Sequence, residues 1–170
     1  MKNKIVYLFL IVFSLSVTNA SAGESESDLN KRIRIHDLLL KIYLAKHQNK
    51  QAVAEYQTLL KLSPNNPALE YAYANYLYKY GNVKESIAHY RKAFECAPDN
   101  ADYAAKLGSI LFYAKDYDGA VSAYTNACRI GGSRFQPQLN SALQYQASIR
   151  AARNAAAAAA ARKSSDDSDN

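Results

Sequence analysis

Between residues 33 and 134 apolar side chains return three or four positions apart, the spacing of helices that bury one face. Leu39 and Tyr43, Tyr73 and Leu77, and Leu107 and Leu111 are three i, i+4 seams. Each is followed by a second seam with a small residue first, at Ala52, Ser86 and Ala120, and a tyrosine one turn later, at Tyr56, Tyr90 and Tyr124. Ala93 and Ala127 prolong it in the later two cases. Small residues let two helices approach closely, and the large ring fills the space beside the contact. Polar breaks at 46–49, 81–82 and 115–116 separate the paired seams. The pattern predicts an all-α chain of six helices in three antiparallel pairs, with no strand.

Corresponding residues lie 34 apart, and residues 33–66, 67–100 and 101–134 align without a gap. Pro64 and Pro98 stop the second helix of a block, Asn66 and Asn100 are placed to cap the next first helix, Pro67 suits a first turn, and Gly81 suits a helix end. This unit resembles the tetratricopeptide repeat (TPR) family. The resemblance is carried by Ala74, Gly81, Tyr90, Ala93 and Pro98, and by Leu107, Gly108, Ala120, Tyr124 and Ala127. It implies a right-handed superhelix of three TPR helical hairpins whose first helices line a concave face. The first block departs from the pattern, with Leu40 where the family prefers Gly or Ala and Leu59 where it prefers Ala; the third ends in Gly131 and Gly132 without a Pro turn. Stacked hairpins leave a last apolar face open, and residues 135–163 supply a capping helix, with Pro137 in its first turn and Leu139, Leu143, Gln146 and Ile149 along one side. Its end, 155–161, is an alanine tract of high helix propensity.

The ends of the chain change the picture of where it works. Lys2 and Lys4, an apolar run over 5–17 and the small-x-small sequence Ala20, Ser21, Ala22 read as a signal peptide over 1–22, so an exported product, periplasmic or secreted, is expected to begin near Gly23. A polar lead-in follows over 23–32, and an acidic tail expected to be disordered occupies 164–170. The formal charge of +6 hides an uneven distribution: residues 29–163 hold 19 basic against 9 acidic side chains. A basic body between acidic ends permits peripheral association with an anionic membrane.

No catalytic constellation is legible. His36, His47 and His89 are read as isolated surface or packing residues, Asp116 and Asp118 as turn acids, and no metal-ligand spacing or nucleophile motif occurs. Cys96 and Cys128 are offset within the repeat by two positions, which disfavours a disulfide. We therefore expect no enzyme activity, no cofactor, no metal and no nucleic-acid partner. The resemblance implies a binding role, with Arg34, Asp37, Lys41, Leu44 and Ala45 facing the concave side in the first block. Tyr71, Asn75, Tyr78 and Lys79 do so in the second, and Asp102, Ala105, Ser109, Phe112 and Tyr113 in the third. The carboxylate-clamp variant of the family is not expected, because Asp37, Lys41 and Asp102 occupy its Lys, Asn and Lys positions. Tyr71, Asn75, Tyr78, Lys79, Phe112 and Tyr113 form the expected partner-binding set, in an exported scaffold for envelope, pilus or secretion-apparatus assembly. The alternative is a structural or membrane-associated protein whose basic helices bind anionic lipid or polymer.

Overall fold

The computed structural model describes residues 25–166, with side chains to residue 161. The expected signal peptide lies outside the described residues. Among the described residues seven α-helices follow in order: α1 (Glu26–Ala45), α2 (Asn49–Leu62), α3 (Pro67–Lys79), α4 (Val83–Cys96), α5 (Ala101–Tyr113), α6 (Tyr117–Gly131) and α7 (Gln136–Asp166), with a 3-10 turn at Gly132–Phe135. Among the described residues there is no strand. The chain divides into two compact units, one ending at Leu62 and one beginning at Ser63. The first is the α1/α2 hairpin, which buries Leu40, Ala52, Tyr56 and Leu59.

The second unit packs the α3/α4 and α5/α6 hairpins, with α7 against α6. Its main core joins Ala74, Tyr90, Leu107, Ile110, Leu111, Ala120, Ala123, Tyr124 and Ala142. Tyr90 and Tyr124 are buried at equivalent places, as the repeat register requires. Gly108 shows how close the α5/α6 approach is: a Cβ there would stand 2.9 Å from the Tyr124 ring. Leu139 and Ala142 of α7 pack on this core, whereas Leu143 and Ile149, expected to share the contact, are exposed. Ala142 has no bulk to hold the helices apart, and α7 turns the face bearing it toward α6.

One device ends all three first helices. His47, Gly81 and Lys115, each 34 residues from the next, have φ of 55°, 84° and 63°. One residue later the amides of Gln48, Asn82 and Asp116 donate to the carbonyls of Tyr43, Leu77 and Leu111 at 2.9 Å. This 6→1 closure satisfies carbonyls that the helix end leaves open. Asn66 caps α3 by accepting from the Leu69 amide at 3.1 Å, and Asn100 caps α5 by accepting from Asp102 and Tyr103 at 3.0 and 3.2 Å.

Two boundaries differ from expectation. Helix α1 begins at Glu26, inside the stretch read as a polar lead-in, because Ser25 accepts from the Asp28 amide at 3.2 Å and the acids Glu26 and Asp28 favour a helix start. Helix α7 continues through Asp166, beyond the expected end at Lys163 and into the stretch expected to be disordered.

Candidate functional site: the face of the first helices

The expected partner-binding residues divide between packing and open surface. On α3, the Tyr71 ring stacks on Tyr103 of α5 at 4.8 Å and meets the edge of Tyr90 at 5.6 Å. The Tyr90 hydroxyl donates to Asn75 Oδ1 at 2.7 Å, so one end of the Asn75 amide is already engaged within the hairpin. Burial, with the Tyr71 and Tyr78 phenols adding to it, raises the Tyr90 hydroxyl far above the ordinary tyrosine range, so this donor keeps its proton. Tyr78 is half-buried, and Lys106 of α5 holds its Nζ 5.7 Å from the Tyr78 ring and 5.8 Å from the Tyr90 ring. Lys79 is exposed and lies over Tyr80 at 5.6 Å. Neither Lys79 nor Lys106 has an ion-pair partner among the described residues.

On α5, neighbouring aromatics have opposite fates. Phe112 is half-buried, with the edges of Tyr117 and Tyr145 against it at 5.3 and 5.1 Å, and those two rings stack on each other at 5.6 Å. It fastens α7 to the α5/α6 hairpin. Tyr113 is 71% exposed. Beside it opens a cleft of about 220 Å³ lined by Ser109, Phe112, Tyr113, Tyr124, Gln138 and Ser141. Lys106, Ser109 and Tyr113 follow at spacings of three and four and share one side of α5. The cation Lys106, missing from the expected set, thereby joins the site; its placement above two rings of the preceding block was not readable from one helix alone. The acids on expected groove positions are already countered, Asp102 by Arg134 at 2.8 Å and Asp37 by Lys41 at 2.6 Å.

Two histidines read as isolated are not. His36 Nδ1 meets Glu55 at 2.6 Å, and His89 Nδ1 meets Glu70 at 2.6 Å. Positions 36 and 70 are equivalent, as are 55 and 89, so the same contact is made with its two residue types exchanged. In the third block the equivalents are Ala104 and Ala123, both buried. Glu70 is 0% exposed, and Lys92 Nζ stands 2.8 Å from its other oxygen as an ion pair. Glu70 in turn raises the Lys92 ammonium above the ordinary lysine range, through hydrogen bonding and charge. Aligning the three blocks residue by residue carries this signal.

Residues 43–110 match the family model of the tetratricopeptide repeat. Over that stretch the chain is similar to the tetratricopeptide repeat. The match runs from the end of α1 to the buried Ile110 of α5. Among solved structures, the chain is similar to the TPR2B domain of yeast Sti1 in its pHsp70 complex, at 20% identity and a TM-score of 0.54, covering 67% of this chain and 98% of that one. The Sgt2 TPR domain from Aspergillus fumigatus gives 19% identity and 0.54, covering 72% and 82%. The P58(IPK) TPR domain gives 12% and 0.67, covering 79% and 41%. At these identities the likeness speaks for the repeat fold. No curated protein matches the chain. Among the described residues no group of three or more His, Cys, Asp or Glu is placed to hold a metal ion, and no helix is long and apolar enough to cross a membrane.

Proposed function

We propose that this chain is a non-catalytic adaptor that holds a segment of a partner polypeptide on its first helices. The observation that carries this reading is the open row of Tyr78, Lys79, Lys106 and Tyr113 beside the Ser109–Tyr124–Gln138 cleft, where rings and cations have no partner acid. Exposed aromatics next to a polar-rimmed cleft are typical anchors of protein interfaces. The cleft takes one aliphatic or aromatic side chain, and the two lysines favour acidic neighbours in the same segment. The Sti1 domain is described in a complex with pHsp70, and by analogy a peptide is the class of ligand for this face. The acids at 37 and 102 make a copy of the clamp recognition unsuited to it. We propose further that it works outside the cytosol, in envelope, pilus or secretion-apparatus assembly, a reading supported by the signal-like residues over 1–22.

The test is capture of native envelope proteins by the purified protein, compared with a Tyr78→Ala/Tyr113→Ala variant. We expect at least tenfold weaker capture of the same partners with helicity retained and melting lowered only by the loss of half-buried Tyr78, since each anchor ring contributes ~1–2 kcal/mol to binding. Equal capture by the variant refutes the site. Binding to any anionic polymer or lipid that collapses between low and moderate salt and ignores both rings establishes the alternative reading.

A further inference from the structure

Helix α1 carries an apolar stripe on the side turned away from its own hairpin. Ile35, Leu38 and Ile42 are 55%, 58% and 46% exposed, whereas Leu40, on the opposite side, is buried against the hairpin. The repeat register explains what such positions do. The third-block equivalents of Ile35, Leu38 and Ile42 are Tyr103, Lys106 and Ile110. All three meet the preceding hairpin: Tyr103 stacks on Tyr71, Lys106 lies over Tyr90, and Ile110 is 1% exposed in the core with Tyr90 and Ala74. In α1 the same positions have no covering helix among the described residues.

We propose that this stripe packs against α1 of a second copy of the chain, antiparallel, about a two-fold axis beside Leu38. The charges favour this occupant. Lys31 is paired with Asp28 at 3.0 Å and Lys41 with Asp37 at 2.6 Å, so the stripe is flanked by neutralised pairs and is not a bare cationic surface. Asp28 and Lys46 lie about five turns apart, hence on one line along the helix at its two ends. A two-fold axis midway between them, level with Asp37 and one residue from Leu38, brings Asp28 of each copy to Lys46 of the other, in exchange for its exposed pair with Lys31. It also sets Ile35, Leu38 and Ile42 of the two copies together and turns Arg34 toward the second copy's Asp37–Lys41 pair. The interface is isologous and closed, so it yields dimers and not fibres. Three half-exposed aliphatic side chains offer much less than the ~800 Å² per partner of a standard interface, so dissociation falls on the order of tens of micromolar.

Sedimentation equilibrium of the purified protein over a concentration series should show reversible dimerisation. Leu38→Lys should raise the dissociation constant more than tenfold at unchanged helicity, since Leu38 faces solvent in the single chain. Asp28→Lys should weaken association and Asp28→Lys/Lys46→Asp should restore it. In a Cys96→Ser/Cys128→Ser background, Leu38→Cys should oxidise to a covalent dimer, because the axis sets the two thiols together. A monomer at every concentration up to the millimolar range, or a dimer indifferent to Leu38→Lys, overturns the proposal. So does Leu38-dependent sedimentation of a monomer with anionic phospholipid vesicles, which would make the stripe a lipid contact.

Discussion

Removing both Glu70 and His89 should harm the protein less than the sum of removing each. Glu70 is fully buried, its two oxygens met by His89 Nδ1 at 2.6 Å and Lys92 Nζ at 2.8 Å. His89→Ala leaves that carboxylate with Lys92 alone and a cavity beside it, which costs about 3 kcal/mol. Glu70→Ala costs somewhat less, about 2–3 kcal/mol, because Lys92 is half exposed and rehydrates. The double alanine variant abolishes both polar groups and reproduces the third block, where Ala104 and Ala123 stand buried at these positions. Its penalty should therefore fall short of the sum by about 1.5–3 kcal/mol, the scale of a charge-assisted hydrogen bond. The exchange Glu70→His/His89→Glu recreates the order His36 and Glu55 of the first block and should stay within about 1 kcal/mol of the parent. Thermal unfolding followed by circular dichroism reads the cycle, at roughly 2–4 °C per kcal/mol for a chain of this size. Additivity within ~0.5 kcal/mol would refute the claim that the two side chains act as one unit.

Two further outcomes follow from the helix ends and the buried phenols. Lys115→Gly should stabilise by about 0.5–1 kcal/mol, because glycine relieves the left-handed backbone at φ 63° while the equivalent Gly81 shows the closure accepts it; an unchanged or lower melting temperature would contradict this. Burial raises the phenols of Tyr76, Tyr90 and Tyr124, so an unfolded chain releases these protons near the ordinary pKa of about 10 while the folded chain retains them. The stability they contribute is full below that pH and is lost as the pH rises above it. Phenolate absorbance should then rise in two stages, the later coincident with loss of helix, and a single stage with helicity intact would contradict the burial argument.

Most of the fold was legible because a repeat presents each local rule three times. Tyr56, Tyr90 and Tyr124 announced a core position by recurrence, and Asn66 and Asn100 announced themselves as caps by their place before the first helices of the second and third blocks. The starts and ends were less legible where one residue type serves two roles. Ser25, Glu26 and Asp28 suit a polar tail and a helix start equally, and only the Ser25 contact with the Asp28 amide separates them. Contacts between helices were harder still. Leu143 and Ile149 fit the apolar stripe of α7 as well as Ala142 does, but the tight approach selects the smaller side chain. Phe112 and Tyr113 are adjacent in sequence and equally aromatic, yet the Tyr117 and Tyr145 rings cover one and leave the other open. The His–Glu pairs escaped notice because each His was judged along its own helix, while its partner sits 19 residues away on the other.

The three blocks also separate what the fold requires from what a partner requires. Seam positions hold the same kind of residue in every block, as the three tyrosines do, because the hairpin contact is the same contact each time. The first-helix face behaves in the opposite way. Down the repeat its equivalent positions read Asp37, Tyr71 and Ala105; Lys41, Asn75 and Ser109; Leu44, Tyr78 and Phe112; Ala45, Lys79 and Tyr113. No set holds one residue three times, so the hairpin contact common to the blocks does not dictate these side chains, although Tyr71, Asn75 and Phe112 also make packing contacts of their own. A lipid surface or a uniform polymer offers the same groups to every block and would be met as well by three similar faces. A polypeptide segment offers a different side chain at each step, and a face that changes from the second block to the third suits such a segment. Exposed Tyr113 and unpaired Lys79, which stand at one repeat position yet share no chemistry, are where that difference is greatest.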